Sequence, residues 1–312
     1  MRAPSPRAVS PPAARRCRIM GVLNVTPDSF SDGGHFVDVA AAVAHGMRLR
    51  ADGADIVDVG GESTRPGAER VPVEIELRRV VPVVRELAAA GVAVSIDTTR
   101  REVAEAAVGH GAIMVNDVSG ATADPAMAGF VADAAVDFVA MHWRGHSRRM
   151  QQNAVYHDVL GEVVAALARR ASDLTDAGVD PRRIILDPGL GFAKLPEHNW
   201  ALLAGMGDLT ALGHPVLIGA SRKSFLGALA VEHGLHAASP ADRDGLSAAV
   251  AVLAATSGAA YLRVHDVKRT REAIVVARKW VDAAVHPAVE CHSTPAGPRA
   301  RTGPGRHDDR EG

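Results

Sequence analysis

Short apolar runs and longer mixed stretches take turns along most of the chain. The runs Ile19–Asn24, Ile56–Gly60, Val92–Asp97, Ile113–Asn116, Phe138–His142, Ile184–Asp187, Val216–Gly219 and Tyr261–Arg263 are apolar at nearly every position before their last. Such runs predict strands covered on both faces. Between them, apolar residues return every three or four positions, as in Val37–Asp52, Val73–Ala90, Arg100–Gly109 and Val159–Gly178, and predict amphipathic helices. Gly53, Gly91, Gly111 and Gly178 stand where those helices should end. Strands separated by a whole helix cannot pair as hairpins, so they lie parallel. Eight strand–helix units closed on themselves predict an α/β fold, a (β/α)8 or TIM barrel, as a single domain over residues 17–285. Residues 1–16, rich in Pro, Ala and Arg, and 286–312, rich in Pro, Gly, Arg and His, show neither period and read as disordered tails.

The polar exceptions within this pattern share one position. Asn24, Asp58, Asp97, Asn116, His142, Asp187 and Arg263 each lie at the carboxyl end of an apolar run, and Lys223 follows one closely. In a barrel these ends form one rim, where active sites are built. An open doubly wound sheet gathers ligand loops chiefly at its switch point, so the use of nearly every strand end favours closure. No Gly-x-Gly-x-x-Gly opens a helix after the first strand, which leaves a dinucleotide fold with little support.

Composition narrows the partners. Lys plus Arg is 35 and Asp plus Glu is 36, a net charge of −1, so there is no basic excess for nucleic acid. Aromatics at 4% do not furnish a base-stacking platform. Two cysteines, Cys17 and Cys291, form no metal pattern or disulfide framework and indicate a reducing, cytoplasmic setting. Met1–Arg16 carries arginines among prolines and no apolar core of a secretory signal. Gly245–Leu262 is uncharged and near membrane-spanning length, yet its abundance of Ala, Gly, Ser and Thr reads as a buried helix leading into a buried strand, with no membrane partner.

Six segments carry candidate chemistry. Asn24-Val25-Thr26-Pro27-Asp28-Ser29-Phe30-Ser31-Asp32-Gly33-Gly34 reads as a polar lid loop, or as a turn that caps the next helix. In Asp58-Val59-Gly60-Gly61-Glu62-Ser63-Thr64-Arg65-Pro66-Gly67, the glycines allow close backbone approach, Thr64 and Arg65 offer donors to an anion, and Asp58 and Glu62 orient neighbours. Asp97 and Asn116, a carboxylate and an amide at adjacent strand ends, suit a flat heterocycle with donors and acceptors. Asp187, ahead of Pro188-Gly189-Leu190-Gly191-Phe192-Ala193-Lys194, either grips an amino-pyrimidine edge or caps a short helix. Gly219-Ala220-Ser221-Arg222-Lys223-Ser224-Phe225 sets two cations and two hydroxyls at a helix start, an anion site or a solvated terminus. Arg263 and His265, on one side of an extended segment after the last strand, resemble a phosphate clamp. No His-Glu-x-x-His or Gly-x-Ser-x-Gly is present, and His142, the one candidate general base, has no orienting carboxylate nearby in sequence. The residues alone give a barrel enzyme that binds a flat polar heterocycle and a phosphate-bearing group.

In this order the six segments resemble the dihydropteroate synthases, over about Arg18 to Ala284. The resemblance implies a cytoplasmic, homodimeric TIM-barrel transferase of folate biosynthesis. It would join 6-hydroxymethyl-7,8-dihydropterin diphosphate to 4-aminobenzoate, release diphosphate, and be a target of sulfonamides. By position it implies Mg²⁺ at Asn24, and Asp97, Asn116, Asp187 and Lys223 around the pterin. Thr64, Arg263 and His265 fall on the diphosphate side, with Arg263 also stacking near the pterin. Phe30, Pro66 and Ser224 fall near the aminobenzoate, with Arg65 among the substrate-binding residues, and Asp32 closes the site. The catalytic set so implied is Lys223, Arg263, His265 and Asp32. The implied route is dissociative, through a pterin methyl cation, and needs no protein nucleophile. Ala193 replaces a glycine that many members carry and is expected to be tolerated. A non-catalytic pterin-binding paralogue and a methyltetrahydrofolate–corrinoid methyltransferase are the alternatives; the first loop and the Ser-Arg-Lys-Ser segment favour the synthase.

Overall fold

A computed structural model describes residues 17–26, 38–62, 70–145 and 153–285. Its strands are β1 (Arg18–Asn24), β2 (Ile56–Gly60), β3 (Val94–Asp97), β4 (Met114–Asp117), β5 (Asp137–Met141), β6 (Ile184–Asp187), β7 (Leu217–Ile218) and β8 (Tyr261–Val264). The helices are α1 (Val39–Ala51), α2 (Val73–Ala89), α3 (Arg101–Gly109), α4 (Met127–Ala134), α5 (Val159–Asp176), α6 (Pro196–Ala204), α7 (Met206–Thr210), α8 (Ser224–Glu232), α9 (Asp244–Thr256) and α10 (Val267–Val285). The strands run parallel in the order β6-β5-β4-β3-β2-β1-β8-β7. A single bridge between Leu186 and Val216 joins the two ends of that order, so the sheet curls into a barrel.

Element ends follow from local chemistry. Asp38 starts α1 by accepting the Ala41 N–H at 3.0 Å, and Asp158 starts α5 by accepting that of Gly161 at 3.1 Å. Gly53, Gly91, Gly111 and Gly178 all adopt positive φ just past helix ends, as their placement in the sequence suggested. β3 begins at Val94 rather than Val92, because the Val92 N–H is held by the Leu87 carbonyl of α2 at 3.0 Å. The uncharged stretch 245–262 divides into α9 and the start of β8, and among the described residues no helix is long and apolar enough to cross a membrane.

Strand side chains alternate between two cores. Ile19, Leu23, Val57, Val59, Val94, Ile96, Phe138, Ala140, Ile184 and Leu186 join the large cluster shared with the helices. Met20, Ile56, Met114, Val139, Ile185, Leu217 and Tyr261 form a separate buried layer that plugs the barrel interior. Side chains two residues apart on a strand share a face. Asp58, Asn116, Asp187 and Arg263 each stand two residues beyond a member of the inner layer, so they line the barrel mouth just above its apolar floor.

Candidate active site

Arg263 sits at the centre of one half of the mouth. Its Nε donates to Asp58 Oδ2 at 2.7 Å and its Nη2 to Asp97 Oδ2 at 2.7 Å. Asn116 Nδ2 also donates to Asp58 Oδ2, at 2.9 Å. Asp58 is fully buried, and its Oδ1 has no hydrogen-bond partner among the described residues. It therefore orients Arg263 and Asn116, as its sequence context suggested. Burial pushes the Asp97 carboxyl up to about 7; Arg263 opposes that rise and the nearby Asp58 carboxylate adds to it.

Asp187 and Lys223 form the other half. Asp187 Oδ1 accepts the Gly189 N–H at 2.7 Å, so it closes a turn; the next helix, α6, begins only at Pro196 and is not capped by it. Burial raises the Asp187 carboxyl above its ordinary value, against the pull of Lys223, Lys194 and Arg263. Lys223 Nζ donates to the Leu190 carbonyl and lies 4.5 Å from the centre of the Phe192 ring. Burial lowers its ammonium to about 8, while Asp187 works to keep it charged and Arg263 works against it. The fields of Arg263, Asp187 and Lys223 thus overlap, and residues from five strand ends share one mouth with Lys223, which follows β7.

The remaining candidates divide. The His265 backbone N–H donates to Ser221 Oγ at 3.1 Å, and its Nδ1 lies 3.0 Å from the same oxygen, so Ser221 fixes the imidazole. Asn24 ends β1 half-buried, between β2 and the strand that carries Arg263. Ser224 is exposed as the first residue of α8. The pair of cations expected at that helix start is not kept: Arg222 forks onto Asp244 with two bonds of 2.7 Å, so Lys223 alone faces the mouth. Phe30, Asp32, Thr64, Arg65 and Pro66 lie outside the described residues. Glu62, just before the last three, accepts from Arg70 Nε at 3.2 Å and the Val71 N–H at 3.0 Å, and meets Arg100 at 3.1 Å.

His142 is not poised as a base. Burial, with Lys194 and Arg144 nearby, pushes its imidazole down to about 3, and its Nδ1 lies 3.1 Å from Lys194 Nζ. Lys194 carries little signal in the sequence beyond being a lysine at the end of the glycine-rich segment after β6. Cys17 is buried, and burial pushes its thiol up to about 12, so it supplies no nucleophile.

Residues 20–265 match the family described as pterin binding enzyme. The dihydropteroate synthase of Mycobacterium leprae is 52% identical over 267 residues, covering 85% of this chain and 94% of its own. That of Synechocystis is 42% identical over 264 residues, covering 84% of this chain and 90% of its own. The dihydropteroate synthase of Xanthomonas albilineans, solved with 4-aminobenzoic acid, superposes with a TM-score of 0.79 at 48% identity, over 86% of this chain and 94% of that one. The same bacterium's enzyme in complex with 7,8-dihydropteroate gives a TM-score of 0.76 at 45% identity over the same shares, 86% and 94%.

Proposed function

The chain belongs to the pterin-binding enzymes, among their dihydropteroate synthases, and from that membership we propose how its residues divide the work. The reaction joins 6-hydroxymethyl-7,8-dihydropterin diphosphate to 4-aminobenzoate and yields 7,8-dihydropteroate and diphosphate. One observation carries the assignment: Arg263 bridges Asp58 and Asp97 in the mouth and shares its field with Asp187 and Lys223.

Asp97, Asn116, Asp187 and Lys223 hold the pterin. The two carboxylates accept from its amino-pyrimidine N–H groups, and the amide and ammonium supply donors. Arg263 stacks beside the ring, and His265, set by Ser221, meets the diphosphate with Thr64. The carbon–oxygen bond to diphosphate breaks with its electron pair leaving on oxygen, which gives a delocalised pterin methyl cation. Asp97 and Asp187 offset that positive charge, and fixed donors offset the departing negative charge. The 4-aminobenzoate nitrogen then bonds to the methylene carbon and gives up a proton to the released diphosphate or to solvent. Phe30, Arg65, Pro66 and Ser224 receive the aminobenzoate, and Asp32 helps exclude water, which would trap the cation.

Among the described residues no group of three or more His, Cys, Asp or Glu is arranged to hold a metal. The lone carboxamide of Asn24 nevertheless fits Mg²⁺, an ion that commonly keeps water and substrate phosphate as its other ligands. Bound there, Mg²⁺ would supply Lewis-acid stabilisation of the diphosphate. The same reading makes the protein a cytoplasmic sulfonamide target and a homodimer. On α10, Val276 and Trp280 lie one turn apart at 66% and 77% exposure, and a second copy would cover them. Sedimentation should show a dimer for the wild type and a monomer for Trp280→Asp.

The test of the assignment is direct. With Mg²⁺, the wild type should release diphosphate only when both substrates are present, and a sulfonamide should compete with 4-aminobenzoate. Lys223→Ala should nearly abolish turnover, and wild-type activity in that variant would overturn its role.

A further inference from the structure

Lys194 is 3% exposed, yet it has no carboxylate partner in an ion pair among the described residues. Its Nζ lies 3.1 Å from His142 Nδ1 and donates to the Phe192 carbonyl at 3.1 Å. Asp187, Lys223 and Arg144 are the charged groups that act on it, and burial brings its ammonium down to about 7. A lysine buried this way is costly to keep, so what it holds matters.

It holds the segment between β6 and α6. That segment folds tightly back on the end of β5: Gly189 has φ +68, and a Cβ there would lie 2.4 Å from the His142 carbonyl oxygen. Gly191 has φ +75, and a Cβ there would lie 2.9 Å from Lys223 Cδ. Lys223 touches the same segment twice more, through the Leu190 carbonyl and the Phe192 ring. Lys194 thus binds one end of the segment to His142 while the segment's middle cradles Lys223. The imidazole is kept neutral by burial, so its Nδ1 can accept from Lys194 while Nε2 keeps the proton.

We infer that Lys194 is a positioning residue for pterin capture. Its bonds to the Phe192 carbonyl and His142 Nδ1 fix the segment whose Leu190 carbonyl and Phe192 ring aim the Lys223 ammonium into the mouth. This rests on the reading that Lys223 grips the pterin, which the Lys223→Ala assay checks separately.

The test is Lys194→Met, which keeps length and loses every donor, read by steady-state kinetics and melting. The KM for dihydropterin diphosphate should rise about tenfold, while that for 4-aminobenzoate stays within about twofold, a split that general loosening of the fold would not give. In a Phe192→Leu background the same substitution should raise that KM by less than in the wild type, because the ring is one of the two contacts through which the segment aims Lys223. Equal rises in both KM values, no rise, or independent multiplying losses would each overturn the inference. If Lys194→Met does not fold, His142→Leu removes the same bond from the other side and is judged by the same criteria. Failure of both to fold while Phe192→Leu folds would make Lys194 a stability residue and overturn the inference too. Wild-type activity in Lys223→Ala would bring down the reading of Lys223 and this inference together.

Discussion

Lys223 is half-buried at a site where its proton is easily lost, at about 8 against an ordinary 10.5. Its cation is the form that grips the pterin, so kcat/KM for dihydropterin diphosphate should fall as pH rises through about 8, which a pH–rate profile measures. Stability should move the other way. Between the folded value of about 8 and the ordinary 10.5, the unfolded chain binds more protons than the folded one, so rising pH favours the fold over that window. Urea midpoints should therefore climb less steeply with pH in Lys223→Met than in the wild type. Ala193 is a second residue under local constraint: it is fully buried with φ +48, in the left-handed region. That conformation costs alanine roughly 1 kcal/mol, partly offset by the greater freedom glycine brings to the unfolded chain. Ala193→Gly should leave stability unchanged or raise it by up to about 1 kcal/mol in urea denaturation. The sequence showed that this position departs from the family pattern, but backbone handedness is set by the turn, and only the fold reveals it.

At the scale of elements, the turn from β7 into α8 is fastened from behind. Arg222 takes φ +61, its N–H donates to Ser247 Oγ at 3.0 Å, and its guanidinium forks onto Asp244, which is 9% exposed. Asp244→Asn would leave that guanidinium half-satisfied and should cost about 1–3 kcal/mol in urea denaturation, with a raised KM for the dihydropterin diphosphate. The same elements show what a linear pattern can and cannot carry. Strand ends were legible because a residue that breaks an apolar run at the rim leaves a local mark, and period-2 alternation then decides which side it faces. That is why Asp58, Asp97, Asn116, Asp187 and Arg263 stood out. Which of two adjacent cations turns inward was not legible, because Arg222 is decided by an aspartate 22 positions on. Lys194 went unread for the same reason, since its imidazole partner lies 52 positions away. Strand β3 was read two residues too long because a helix terminus claimed the Val92 N–H, a competition invisible to hydropathy.

At the scale of the whole molecule, closure is uneven. β1 and β2 align over five residue pairs, whereas β7 has two residues and meets β6 through one bridge. Hydrogen exchange should therefore be faster for Leu217 and Ile218 than for the equally buried Val57 and Val59, and equal protection would show that the seam is not weak. The barrel was foreseeable from the sequence because its repeat is carried by composition alone; the seam was not, because strand length there depends on what the neighbouring strands leave to pair with. The thinnest stave of the wall is the one that delivers Lys223. A compound that spans the mouth from Asp97 to Lys223 would act as a keystone, lending the weak joint a rigidity that its own backbone lacks. One confined to the outer vestibule would leave that joint as loose as before.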